Sequence, residues 1–147
     1  MVSAKAAHAP ILHAEDDEND ALFMRLAFKK AKLANPLIAV HDGEAAIAYL
    51  NTASQPGNAD LFPLPCLILT DLKMPRVSGF DLLKWIKEQP HLSHIPAIVL
   101  SSSGEPGDRQ RASELGAAAF WVKPAHIEML MAMVTEMRDT WVSAHCS

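Results

Sequence analysis

Cys66-Leu67-Ile68-Leu69-Thr70-Asp71-Leu72-Lys73-Met74-Pro75 is an apolar run that delivers one carboxylate to its tip and then turns at a proline. A short apolar run bounded by turn residues reads as a buried strand. A lone carboxylate at the end of such a strand does nothing for packing, so it is read as a nucleophile. Three other apolar runs end in the same manner. Ile11-Leu12-His13-Ala14 leads into Glu15-Asp16-Asp17, Ala97-Ile98-Val99-Leu100 into Ser101, and Ala119-Phe120-Trp121-Val122 into Lys123-Pro124. An acidic cluster, a single Asp, a hydroxyl and an amine therefore stand at the ends of four strands.

Strand and helix signals alternate along the whole chain. Strands are expected at about 11–14, 37–40, 66–70, 97–100 and 118–122. The first helix is expected from about Asp20 to Lys32, capped by Asn19 or Asp20, and the second is short and capped by Asp42. Residues 51–65 read as a loop rich in Asn, Ser, Gly and Pro. Helix three, about 79–89, stops before Pro90; helix four, about 107–115, closes at Gly116; helix five covers about 126–142. Five strands alternating with five helices make an α/β fold with a five-stranded parallel sheet covered on both faces. The expected order is 2-1-3-4-5, the flavodoxin-like doubly wound (βα)5 arrangement, with the ligand site where strands 1 and 3 part. That order brings all four chemical groups to one edge. One domain is expected over 1–147, with its core at about 10–142.

Charge and composition remove several function classes. Thirteen basic against 17 acidic residues give a net charge of −4, which argues against nucleic acid as the main partner. The one basic cluster, Lys29, Lys30 and Lys32, fits a solvated helix end. No run is long and apolar enough for a membrane span, and Met1 to Pro10 lacks the apolar stretch of a signal peptide. Cys66 and Cys146 show no metal-ligand spacing, and a reduced, cytoplasmic protein is the expectation.

The strand-end groups fit one chemistry. Glu15, Asp16 and Asp71 crowd like charges that repel unless a cation intervenes. Mg2+ suits them, as a hard ion that binds one or two carboxylates together with a phosphate. Asp16 is read as the direct ligand and Glu15 as the water-mediated one, with Asp17 beginning the loop. The tandem acids leave the register open by one residue, so Asp17 could complete the pair instead; taken alone all three could cap helix one, but together with Asp71 the ligand reading outweighs that. A carboxylate such as Asp71 can take up a phosphoryl group as an aspartyl phosphate, whose oxygens need neutralising by metal, ammonium and hydroxyl donors. Lys123 and Ser101 supply the last two.

Other features carry less. Ala21 stands where a calcium-binding EF-hand loop requires glycine. Ser102-Ser103-Gly104 lacks the preceding glycine of a nucleophile elbow, and no glycine-rich phosphate loop exists. His13 inside strand one reads as a core histidine satisfied by a neighbour, and the remaining histidines are scattered.

Glu15-Asp16, Asp71 to Pro75 with Gly79, Ser101 and Lys123-Pro124 together resemble the receiver domain of two-component response regulators, over almost the whole chain. The acidic pair, the long loop after helix two and Trp121 look like the small stand-alone phytochrome-associated regulators. The resemblance implies that Asp71 accepts a phosphoryl group from a histidine kinase, of the phytochrome type, or from a phosphotransfer protein. It implies that Glu15, Asp16, Asp71 and the Lys73 backbone carbonyl hold Mg2+, and that Ser101 and Phe120 form the switch. Phe120 lacks a phenolic hydroxyl, so its switch works by packing. The resemblance also leads to a cis peptide bond at Lys123–Pro124 that aims the lysine at Asp71. Ser78 departs from the family, where Asp often precedes the glycine. Nothing but a few residues follows helix five, so no output domain is expected.

Three functions compete. The leading one is a stand-alone phosphoacceptor, not an enzyme, that signals through phosphorylation-dependent protein contacts in phosphorelay signal transduction. A phosphotransferase or phosphatase with an aspartyl-phosphate intermediate would need a second acid two residues after the nucleophile, where Lys73 stands. A phosphorylation-independent docking module would not need the intact set of groups. In helix five, Ile127, Leu130, Met131, Val134 and Trp141 form the core stripe, while Met129, Met133 and Met137 form a second row. Methionine suits an adaptable contact, so a homodimer or partner surface including Met133, Met137 and Trp141 is expected, formed with strand five and helix four.

Overall fold

The structure is a computed structural model and describes residues 8–146. The alanine-rich residues 1–7, part of the stretch read above as lacking a signal sequence, lie outside them. The chain runs β1 Ile11–Ala14, α1 Glu18–Lys30, β2 Leu37–Val40, α2 Gly43–Ala53, β3 Leu67–Asp71, α3 Gly79–Lys87, β4 Ala97–Ser101, α4 Pro106–Glu114, β5 Ala119–Val122 and α5 Ile127–Met137. All five strands are parallel, in the order β2-β1-β3-β4-β5. This is the flavodoxin-like arrangement expected from the alternation of elements.

Residues of alternate parity along the central strands feed two cores. Leu12, Ala14 and Ile68 pack with Leu50, Leu82 and Ile86 on the α2–α3 side. Ile11, Leu67 and Leu69 pack with Met24, Phe28 and Val134 on the α1–α5 side. Each fully buried Leu or Ile contributes roughly 1.5–3 kcal/mol relative to exposure. α4 is different: Ala112 is its one buried residue. It is held instead by two arginines, with Arg111 4.2 Å above the Phe80 ring and Arg109 4.7 Å above the Phe120 ring.

The helix ends follow local chemistry. α1 starts two residues earlier than expected, because Asp17 caps it by accepting from the backbone N–H groups of Asn19 and Asp20. Asn19 and Asp20 are therefore inside the helix and are not its cap. Asp42 caps α2, as expected. Ser78 and Asp81 form a reciprocal capping box at α3, so the serine that departs from the family pattern serves the helix start. Gly116, at φ 97°, follows α4 in the left-handed region that glycine enters at little cost.

Three expectations are corrected. The first concerns the peptide bonds: none among the described residues is cis, so Lys123–Pro124 is trans. The lysine needs no special peptide to reach its partners, because the Lys123 N–H donates to the Ser101 carbonyl at 2.7 Å and hangs the residue on the end of β4. The second concerns the cysteines. Cys66 and Cys146 are joined by a disulfide across a sequence separation of 80 and a Cα–Cα distance of 5.2 Å, so they are not the reduced pair expected. The third concerns the last helix, which does not run unbroken to 142. It passes at Arg138–Val142 into a π-helical turn and then a short turn at Ser143–His145. Val142 and Cys146 are buried there, and the Arg138 guanidinium donates to the Ala31 carbonyl.

The methionine row also needs correction. Met137 is wholly buried in the protein's own core, so it cannot form part of a partner surface. Met133 and Trp141 are half-buried against the α1–α5 core, and Met129 is 59% exposed. Residues four apart on a helix drift by about 40°. Over two such steps the row turns from solvent into the core stripe.

Candidate functional site

Sheet register brings the strand-end groups together. Ala14 pairs with Thr70, Asp71 with Leu100, and Ser101 with Val122. Glu15 and Asp71 therefore leave neighbouring strands at the same level, and Ser101 and Lys123 follow one step further out each. All lie at the carboxyl edge, where β1 and β3 diverge to α1 and α3.

Glu15, Asp16 and Asp71 offer one carboxylate oxygen each, and these oxygens lie within 4.8 Å of one another. Glu15 and Asp71 are buried and Asp16 is exposed. Asp71 Oδ1 accepts from the Leu72 N–H at 2.8 Å, and Glu15 Oε2 accepts from the Asp17 N–H at 3.2 Å. The donors are all hard oxygens on convergent strand ends, the set that suits a hard divalent cation. Asp17, the alternative member of the acidic pair, has its carboxylate engaged at the α1 cap.

Lys123 bridges the cluster. Its ammonium lies 2.8 Å from Glu15 Oε1, 2.9 Å from Asp20 Oδ2 and 3.2 Å from Asp71 Oδ2. Burial works against its charge, but the hydrogen bonds to Glu15 and Asp20 outweigh it and raise the lysine above its ordinary value. Burial pushes the Glu15 carboxyl up to about 7, opposed by Lys123 and helped by the charge of Asp71.

The remaining predicted residues are arranged around this core. Ser101 is buried, and its Oγ accepts from the Ser103 N–H at 3.1 Å. Phe120 is half-buried, and its carbonyl accepts from Arg109 at 3.2 Å. Lys73 is exposed in the loop after β3. Gly79 closes that loop: its N–H donates to the Leu72 carbonyl at 2.8 Å, and a Cβ at this position would collide with the Asp71 carbonyl oxygen. Glycine is thus required by close approach to the very residue that carries the candidate nucleophile.

Several participants were not anticipated. Asp20 was read only as a helix cap, yet its carboxylate binds Lys123 from 103 residues away. Starting α1 at Glu18 would have placed Asp20 in the first turn, beside the strand ends. Arg109 gave no signal as the residue that clamps Phe120. Arg76, in the left-handed region at φ 64°, bonds Asp42 at 2.7 Å and ties the loop after β3 to the start of α2. His13 is buried as expected, but neither ring nitrogen has a partner among the described residues, contrary to the satisfied histidine expected. It lines a cavity of about 40 Å³ with Glu15, Asp20, Met24 and Lys123. Burial, with the charge of Lys123 adding to it, lowers its imidazole to about 4.

The response regulator receiver domain family matches residues 11–135. The chain belongs to that family. The receiver is 33% identical over 132 residues to the response regulator Rcp1 of Synechocystis, covering 90% of this chain and 88% of Rcp1. Rcp1 is also solved in a Mn2+-bound form, which superposes with a TM-score of 0.77 at 32% identity and covers 90% of this receiver and 94% of that chain. The phosphorylated cyanobacterial phytochrome response regulator RcpA superposes at 0.82 with 31% identity, covering 94% and 96%. A response regulator in red light signalling of R. palustris, RPA3017, reaches 0.85 at 27% identity, covering 95% and 98%. The receiver is thus closely related to phytochrome-associated response regulators, and its acidic triad can coordinate a divalent metal. Its acidic cluster is poised for phosphoryl reception and signalling; receivers of this kind are not conventional enzymes. Among the described residues no helix is long and apolar enough to cross a membrane.

Proposed function

We propose that Asp71 accepts a phosphoryl group from the phosphohistidine of a histidine kinase, of the phytochrome type, or of a phosphotransfer protein. The observation that carries this reading is the Lys123 ammonium 3.2 Å from an Asp71 carboxylate that shares a 4.8 Å cluster with Glu15 and Asp16. An Asp71 oxygen attacks phosphorus; the O–P bond forms as the P–N bond breaks, and the electron pair leaves with the imidazole. Lys123 donates to a phosphoryl oxygen, and the Ser101 hydroxyl donates to another. Hydrolysis follows when water attacks phosphorus, the P–O bond to Asp71 breaks, and inorganic phosphate leaves the regenerated carboxylate. Mg2+ is the proposed ion, with Glu15, Asp16, Asp71 and the Lys73 carbonyl to hold it; when bound it neutralises charge building on the transferred group.

Phosphorylation then alters contacts with a protein partner through Ser101 and Phe120. The protein is read as one stand-alone receiver domain, acting in the cytoplasm. Two copies are read as pairing through α4, β5 and α5, with Met129 and Met133 in the contact in place of Met137. The test of the phosphoacceptor reading is intact-mass spectrometry after incubation with an acyl-phosphate donor and Mg2+. Wild type should gain one phosphoryl group and Asp71→Asn none; equal gain by both would refute the assignment.

A further inference from the structure

Lys123 spends its ammonium on three carboxylates, Glu15 at 2.8 Å, Asp20 at 2.9 Å and Asp71 at 3.2 Å. The ammonium donates to Asp20 and Asp71 and stands in ion-pair contact with Glu15, so two of its three hydrogens are already engaged. Glu15 and Asp71 belong to the acidic triad, but Asp20 does not. Asp20 stands in the first turn of α1, and its own N–H donates to Asp17 Oδ1 at 3.0 Å, so the cap fixes the backbone from which it reaches the lysine. A cation held by the triad would draw on Glu15 and Asp71, and Asp20 is the one of the three Lys123 partners that lies outside it. A phosphoryl group on Asp71 then brings oxygens that need the same ammonium.

We propose that Asp20 is a positioning residue that competes with the phosphoryl group for Lys123 and so weakens the site's hold on that group. This rests on the reading of Asp71 as phosphoacceptor. Both physical effects of Asp20 have the same sign. It occupies a hydrogen of the ammonium, and its charge repels a phosphoryl dianion gathered around that ammonium. Asp20 therefore sets how readily the phosphorylated state forms without touching the attacking oxygen.

The test is the affinity of the full chain for beryllofluoride in the presence of Mg2+, read by fluorine NMR. This anion takes the place of a phosphoryl group on a carboxylate. Asp20→Asn keeps the shape and removes the charge; it should bind about fivefold tighter than wild type, the scale of one net hydrogen bond. A residue with only a structural role would loosen binding when replaced. Asp17→Asn is the control, because it removes an equal charge from the same turn, does not touch Lys123, and asparagine caps helices as well as aspartate. Its affinity should stay within about twofold of wild type. Unchanged or weaker binding by Asp20→Asn, or equal tightening by Asp17→Asn, would overturn the competition. A wild type that bound no beryllofluoride would instead overturn the phosphoacceptor reading, and this inference with it.

Discussion

Lys123 Nζ lies 2.8 Å from Glu15 Oε1, closer than its 3.2 Å approach to Asp71. Without a metal the lysine is thus the cation that reconciles the buried acid with its neighbours. Glu15 and Asp71 also belong to the acidic triad, so a divalent ion held there would share two carboxylates with Lys123.

Mg2+ should therefore stabilise the fold by mass action, by about 2.7 kcal/mol at a concentration a hundredfold above its Kd. Asp16→Ala should abolish most of this effect, because it removes one of the three triad carboxylates, and Asp16 is exposed. Thermal melts with and without Mg2+ make the comparison. Equal shifts in both proteins would remove Asp16 from the ligand set.

His13 should make the fold acid-sensitive. Its folded value of about 4 lies below the ordinary 6.5, so the unfolded chain takes the proton first as the pH falls. The contribution is fully present above about pH 6.5 and is lost as the pH falls through 4, by roughly 3 kcal/mol. Glu15 acts in the opposite direction in an overlapping window. Raised from 4.5 to about 7, it adds stability to the metal-free fold below 4.5 that is lost as the pH rises through 7. Comparing variants isolates the histidine: between pH 7 and 4, His13→Leu should lose about 3 kcal/mol less than wild type in urea denaturation. Parallel losses would show that His13 is not what responds.

The Cys66–Cys146 bond closes a separation of 80 residues. By the loop-entropy relation it should stabilise the oxidised protein by about 4.5 kcal/mol. Denaturation of wild type and Cys146→Ser should differ by that scale without reductant and converge when dithiothreitol is added. A difference that survived reduction would have to come from packing of Cys146.

What the sequence discloses and what it hides divide along physical lines. Asp71, Ser101 and Lys123 were legible because apolar strands end abruptly at chemical groups, and parallel topology sends all such ends to one edge. Asp17 was misjudged because three successive acids all suit a helix start, and only the backbone settles which one caps. Met137 was misplaced because an i, i+4 row is not straight on a helix of 3.6 residues per turn. The disulfide and the Asp20–Lys123 contact join residues 80 and 103 apart, and no local spacing announces such pairs.

Pairing of two chains can be tested on the residues that remain available. Met129 is 59% exposed and Met133 half-buried. A Met129→Glu, Met133→Glu double variant should sediment as a monomer under conditions where phosphorylated wild type is a dimer. Wild type monomeric with and without phosphorylation would end the homodimer reading.

The most direct measurement is the position of the phosphoryl group itself. After phosphorylation by a histidine kinase or an acyl-phosphate donor with Mg2+, borohydride cleaves the acyl phosphate and leaves a reduced side chain that peptide sequencing by mass spectrometry can locate. The mark is expected on Asp71 alone. A mark on Glu15, Asp16 or Asp20, or none on the peptide that contains Asp71, would contradict the assignment.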